Sequence, residues 1–126
     1  MVAVLDSSAV LALIQKEPGG AQVVGYLQGG CMSAANYAEV LFVLGRAGIE
    51  IGVAQALIAA LRIEVVPMTA EIAATAATRG SAGSRHGLSL GDRACLATAA
   101  DLNVPVVTAD RVWAELELGV DVIAIQ

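Results

Sequence analysis

Four carboxylates stand out from their surroundings: Asp6, Glu39, Asp92 and Asp110. Asp6 closes the apolar run Val2–Leu5, and Asp110 follows the run Val104–Thr108 after one alanine. Glu39 interrupts the otherwise apolar stretch Tyr37–Leu44, and Asp92 follows Ser89-Leu90-Gly91. Two of them thus sit at predicted strand ends and two in the early turns of predicted helices. In a parallel sheet those places share one edge, where ligands bind. Carboxylates gathered there repel one another unless a cation joins them. Oxygen ligands without Cys or His partners suit Mg²⁺ or Mn²⁺, ions that serve phosphate chemistry.

Each carboxylate also has a plainer reading. Asp6 can cap the helix that follows it, although Ser7 and Ser8 can do so instead. Glu39 shares a helical stripe with Asn36 and Arg46, and such a stripe can simply face water. Ser89 and Asp92 have the spacing of a capping box, and Asp110 can cap a short helical turn. Taken singly, the plainer reading equals the functional one for Asp6 and Asp110 and outweighs it for Glu39 and Asp92. Taken together, the four positions favour the site.

Other chemistries are poorly supplied. His86 is the only histidine and Lys16 the only lysine. A metal-free ribonuclease built on two histidines is therefore excluded. Neither a Gly-x-x-x-x-Gly-Lys-Ser/Thr loop nor a Gly-x-Gly-x-x-Gly fingerprint is present, which argues against nucleoside triphosphate and dinucleotide sites. Ser7 and Ser8 lack a histidine partner for nucleophilic hydrolysis. A phosphoaspartyl enzyme on Asp6 would lack a second carboxylate two residues on.

The elements that must position these residues alternate. Strands are predicted over Val2–Leu5, Cys31–Ser33, Ile63–Met68, Val104–Thr108 and Val120–Ile125. Helices are predicted over Ala9–Lys16, Gln22–Gln28, Ala34–Ala47, Val53–Leu61, Thr69–Thr78 and Leu90–Leu102, with a short turn through Trp113. Arg79–Ser89, polar and glycine-rich, reads as an exposed loop. Such alternation predicts an α/β fold with a mainly parallel sheet covered on both faces.

The 126 residues fit one domain, 1–126, and no internal repeat or linker divides them. Hydrophobic residues make up 57% and aromatics 3%, so the core is aliphatic and no base-stacking platform is available. The net charge of −5 excludes binding of nucleic acid by bulk positive charge. Four of the 12 acidic residues belong to the proposed site, however, and setting them aside nearly balances the 7 basic ones. Arg46, Arg93 and Arg111, with Arg79, Arg85 and His86 in the predicted loop, are the cations near enough in sequence to assist. Ordinary solvated surface is the alternative for each. The longest uncharged stretch, Pro18–Ala38, holds Pro18 and five glycines and would span a bilayer poorly. The N-terminus lacks a basic region, so a soluble cytoplasmic protein with no membrane partner is expected. Cys31 and Cys95 read as buried reduced thiols, with a single disulfide as the alternative.

Leu5-Asp6-Ser7-Ser8-Ala9, Glu39, the segment Leu88–Ala100 around Leu-Gly-Asp-Arg-Ala-Cys-Leu-Ala, and Val107-Thr108-Ala109-Asp110-Arg111-Val112-Trp113 resemble, in that order, the PIN-domain family. The chain looks most like its VapC toxins of bacterial toxin–antitoxin pairs. The resemblance implies a three-layer α/β/α fold with a four- to five-stranded parallel sheet. It implies an Mg²⁺- or Mn²⁺-dependent endoribonuclease that leaves 5′-phosphate and 3′-hydroxyl ends. Asp6, Glu39, Asp92 and Asp110 match the family's acidic quartet, and Ser8 and Thr108 its supporting polar positions. On this reading Asp6, Asp92 and Glu39 hold the principal ion, and Asp110 holds a second ion or positions water. Arg46, Arg85, Arg93 and Arg111 are candidate RNA contacts. A homodimer, a VapB-like antitoxin and a larger toxin–antitoxin hetero-oligomer are implied as well. The alternatives are a non-catalytic interaction module of the same fold, or a small metal-dependent DNA nuclease or phosphatase.

Overall fold

The computed structural model describes residues 2–83 and 87–125. Five strands form one sheet: β1 (Val4–Leu5), β2 (Cys31–Ser33), β3 (Glu64–Val66), β4 (Val106–Thr108) and β5 (Val122–Ala124). Their spatial order is β3-β2-β1-β4-β5, and every pair is parallel. Val4 lies at the centre, in register with Cys31 on one side and Val106 on the other.

The helices among the described residues are α1 (Ser7–Ile14), α2 (Gly20–Val23), α3 (Ala34–Arg46), α4 (Ile51–Ala60), α5 (Ala70–Gly83) and α6 (Leu90–Leu102). Short 3₁₀ turns follow α2, at Val24–Tyr26, and β4, at Arg111–Glu115. No helix among them is long and apolar enough to cross a membrane.

Strand side chains alternate between the two faces of the sheet, and the core divides accordingly. Leu5, Met32, Val107 and Ile125 pack with Val10, Val40, Leu44 and Ile58 beneath α1, α3 and α4. Val4, Cys31 and Val106 point the other way, onto Cys95, Leu96 and Ala99 of α6 and onto Trp113. Helix α5 lies outside α6, joined through Ile72, Ala76 and Ala97. This is a three-layer α/β/α sandwich with an aliphatic interior, as the composition required. Both cysteines are buried and free, so the disulfide alternative falls away.

Most expected elements are present with shifted ends. The expected helix over Gln22–Gln28 divides into α2 and its 3₁₀ turn. One expectation needs correction. The segment from Arg79 is not loop from its start, because α5 runs on to Gly83. A tertiary contact outweighs the weak helix propensity there: the Arg79 guanidinium donates from Nη1 to the Leu118 carbonyl at 2.8 Å. Arg79 also lines a cavity with Ala100 and Asn103. That is the far end of α6 from Asp92, about 16 Å along the helix axis, so Arg79 does not join the site. Arg85 and His86 lie outside the described residues.

Candidate active site

With all strands parallel, β1, β2 and β4 end at one edge. Helices α1 and α3 start there, and α6, which returns antiparallel into β4, starts there too. Each candidate carboxylate is one short step from a strand end or lies in an early helical turn. The topology therefore gathers them without any long loop.

Asp6 continues β1 in extended backbone and occupies the N-cap position of α1, but its side chain makes no capping hydrogen bond. The capping alternative fails here. Asp6 is 3% exposed. Its Oδ2 accepts from the Ser8 hydroxyl at 2.7 Å and the Thr108 hydroxyl at 3.0 Å. Those hydroxyls are held in turn by backbone amides, Ala109 N–H on Ser8 Oγ at 2.9 Å and Asp110 N–H on Thr108 Oγ1 at 3.0 Å. The other oxygen, Oδ1, is buried and has no partner. Burial pushes the Asp6 carboxyl up from 3.8 to about 6, against the opposing pull of Ser8 and Thr108. The Asp92 charge adds to the rise, and the Ser7 amide opposes it weakly.

Glu39 is half-buried, and the stripe it shares with Asn36 does not face water at its start. Asn36 is fully buried. Its Oδ1 accepts from Ser33 Oγ at 2.6 Å, and its Nδ2 donates to Glu39 Oε1 at 2.9 Å and to the Gly91 carbonyl at 3.2 Å. Ser7 Oγ donates to the same Glu39 oxygen at 3.0 Å. Gly91 lies directly against the Glu39 carboxylate, in space that a Cβ would fill. Asn36 and Gly91 thereby tie the first turn of α3 to that of α6. Further along the stripe Arg46 is exposed and sits 5.9 Å from the Phe42 ring centre.

Asp92 does close a capping box. Its Oδ2 accepts from Ser89 N–H at 2.9 Å, and Ser89 Oγ accepts from Asp92 N–H at 3.1 Å. Its carboxyl is raised first by burial, and then by the nearby charges of Glu39 and Asp110, against the Ser89 hydrogen bonds. Asp110 likewise caps its 3₁₀ turn, through Val112 N–H on Oδ1 at 3.1 Å. Trp113, 3% exposed, roots that turn in the core. Asp92 and Asp110 line a common cavity of about 240 Å³ with Gly87, Leu88 and Val112. Of the candidate cations, Arg93 Nε donates to the Ser89 carbonyl at 3.4 Å, and Arg111 is exposed beside Asp110.

The four carboxylates thus occupy one region, in which Asp92 acts on Asp6 and is itself acted on by Glu39 and Asp110. Among the described residues, no three acidic, His or Cys side chains stand close enough to grip a single ion. Ser7, Asn36 and Gly91 are the parts that the sequence reading did not assign. Their signal was an uncharged polar residue three positions before Glu39 and a glycine immediately before Asp92.

A model of the PIN domain matches residues 3–118. The chain belongs to the PIN-domain family. No individually curated protein matches it. Solved structures share the fold. VapBC2 from Rickettsia felis, bound to a DNA fragment from its promoter, superposes with a TM-score of 0.77 at 13% identity over 100% of both chains. FitAcB from Neisseria gonorrhoeae gives 0.64 at 24% identity, covering 97% of this chain and 96% of that one. VapBC-5 from Mycobacterium tuberculosis, a member of the VapBC family of toxin-antitoxin systems, gives 0.61 at 23% identity, covering 99% and 98%. The five parallel strands and flanking helices of this PIN domain agree with the architecture that the resemblance implied.

Proposed function

We propose that this PIN domain is the toxin of a toxin–antitoxin pair, a VapC-type endoribonuclease dependent on Mg²⁺ or Mn²⁺. One observation carries the proposal: Asp6 keeps a buried carboxylate oxygen without a hydrogen-bond partner, at the sheet edge shared by Glu39, Asp92 and Asp110. Such an oxygen is costly to bury unless a cation takes it. The all-oxygen donor set is of the type a small hard ion takes, and binding one would draw these carboxylates closer together than they stand here. Asp6, Glu39 and Asp92 are the residues that would hold the principal ion, and Asp110 a second one or a water. When bound, the ion supplies Lewis acidity for phosphate chemistry and lowers the pKa of a water.

The chain's own residues contribute positioning. Ser8 and Thr108 fix the Asp6 carboxylate by one oxygen, and Ser7 and Asn36 do the same for Glu39. The capping contacts of Asp92 and Asp110 hold those side chains against their helix starts. With one histidine and one lysine in the chain, cleavage through the substrate's 2′-hydroxyl by paired general acid and base has no supporting residues. Hydrolysis is the reading that remains: water adds across the phosphodiester, leaving a 5′-phosphate and a 3′-hydroxyl. Arg46, Arg93 and Arg111 are the described candidates for RNA contact. The VapBC structures that share the fold favour a VapB-like antitoxin partner; a homodimer, a larger hetero-oligomer and action in the cytoplasm complete the proposal.

The test is cleavage of mixed cellular RNA by the partner-free protein, with Mg²⁺ or with EDTA, beside Asp6→Asn, followed by sequencing of fragment ends. We expect metal-dependent fragments with 5′-phosphates from the wild type and none from the variant. Full cleavage by a folded Asp6→Asn protein, or cleavage that EDTA leaves untouched, refutes the assignment. A folded, ion-binding protein that spares RNA but cuts DNA or phosphate monoesters supports the alternative substrate instead.

A further inference from the structure

We propose that the outer face of α3 and α4 is a contact between two copies of this chain, which gives a place to the homodimer named above and asks nothing of its nuclease chemistry. A helix that is apolar all round is normally buried. Helix α4 carries no charged residue, yet only Ala54 and Ile58 of its 10 residues are buried. Ile51 is 60% exposed, Val53 54% and Leu57 39%. Helix α3 packs beside α4 on the same side of the sheet and continues this surface. Its core side is Asn36, Val40 and Leu44, so Ala38, Phe42 and Gly45 point away from the sheet. Phe42 is the only phenylalanine in the chain and is 65% exposed.

Charge selects a second copy as the occupant. Each copy carries a net charge of −5, so two copies repel over most of their surfaces. None of the outward residues on α3 and α4 is charged, and here approach is unopposed. Arg46 and Glu50, one of each sign and both exposed, stand at the border of the face. A two-fold axis places a surface against itself, so the Arg46 of each copy is offered the Glu50 of the other.

Shape and area agree. Phe42 is the one large projection on the outer side of α3, and Gly45 has open space where a side chain would stand. The Phe42 ring of one copy fills the hollow at Gly45 of the other, and the two-fold axis repeats the contact. Phe42, Ile51, Val53 and Leu57 together expose roughly 400 Å², about half of the ~800 Å² that one partner buries in a standard interface. The exposed alanines Ala38, Ala56 and Ala60 add to that area and let the two backbones approach closely.

The test is the mass of the full chain by sedimentation equilibrium in EDTA, over a range of concentrations, for wild type, Phe42→Ala and Gly45→Glu. Wild type should be dimeric, and each variant should weaken the dimer by at least ~30-fold, the loss typical of a central interface residue. Both positions are exposed, and Gly45 has room for a side chain, so far-UV circular dichroism should show the fold retained. Should Phe42→Ala fail to fold, Gly45→Glu carries the comparison. A folded variant of either kind that dimerises as tightly as wild type overturns this face and leaves the homodimer standing. A wild type that stays monomeric overturns both, leaves the face to a partner of different sequence, and does not touch the nuclease reading.

Discussion

Replacing Asp6 by asparagine should make the metal-free protein gain stability relative to the wild type as pH rises through 6, while removing the proposed activity. Asp6 is 3% exposed, so solvent screens it little. Burial raises its carboxyl from 3.8 to about 6. At ~1.4 kcal/mol per tenfold change in proton affinity, that difference amounts to about 3 kcal/mol. The sign follows from linkage. A folded carboxyl with a raised pKa binds its proton more tightly than the unfolded one. Its stabilisation is complete below pH 3.8, is lost as pH rises to about 6, and stays lost above that. The amide introduced by Asp6→Asn has no such proton. It leaves a nitrogen in the unpartnered position, which costs a pH-independent ~1–3 kcal/mol. The rise of Asp92 has the same sign in both proteins and cancels from the difference to first order. Urea unfolding in EDTA, read through the single buried Trp113 from near pH 4 to near pH 8, should therefore find the variant gaining about 2.5 kcal/mol on the wild type across that range, since part of the change already lies below pH 4. In a chain of 126 residues this is a relative rise in melting temperature on the order of 10 °C. A difference that stays flat with pH refutes the claim that an unpaired buried charge sits at the end of β1.

Two further outcomes test the surroundings of the site. In Gly91→Ala the new methyl meets the Glu39 carboxylate, the end of a flexible side chain, so the fold should survive. Displacing Glu39 from Ser7 and Asn36 offsets what α6 gains from alanine near its N-terminus, while RNA cleavage falls on the order of a hundredfold through misplacement of Glu39; full activity would mean that the close contact between Gly91 and Glu39 is immaterial. The thiols beneath the site should be inert. Burial pushes Cys31 up to about 11 and raises Cys95 strongly, so Ellman's reagent near pH 8 should label neither in the native protein and both in guanidinium. A rapidly labelled native thiol would contradict the closed core over α6.

The legible parts of the fold were those with a strong local cause. Cys31–Ser33 and Leu90–Leu102 have the predicted ends because a capping serine stands at each boundary: Ser33 accepts from Asn36 N–H and Ser89 from Asp92 N–H. The continuation of α5 past Arg79 was not legible, since it depends on a carbonyl at Leu118, 39 residues away in sequence. In the site, residue type and order singled out Asp6, Glu39, Asp92 and Asp110 as candidates, and parallel topology brings the strand ends and helix starts that carry them to one edge. What type and order could not convey was which neighbour holds which oxygen. Asn36 looked like part of a possible solvent stripe, yet it is the buried bridge between α3 and α6.

That missing detail also resolves a conflict that the sequence posed as a choice. Asp92 and Asp110 were either helix caps or site carboxylates, and the structure makes them caps. A cap consumes one oxygen, and a carboxylate has two. Asp92 spends Oδ2 on the Ser89 amide, and Asp110 spends Oδ1 on the Val112 amide. The remaining oxygen of each is left without a donor among the described residues. Capping then becomes a means of positioning, since the amide that satisfies the helix end also fixes the direction in which the second oxygen points. Asp6 is the limiting case. Its position is that of a cap, but Ser8 and Thr108 replace the helix amides as its donors, and its second oxygen is buried. The carboxylate with least access to solvent is thus the one whose energy depends most on what meets that oxygen, which is why its substitution separates stability from activity most sharply.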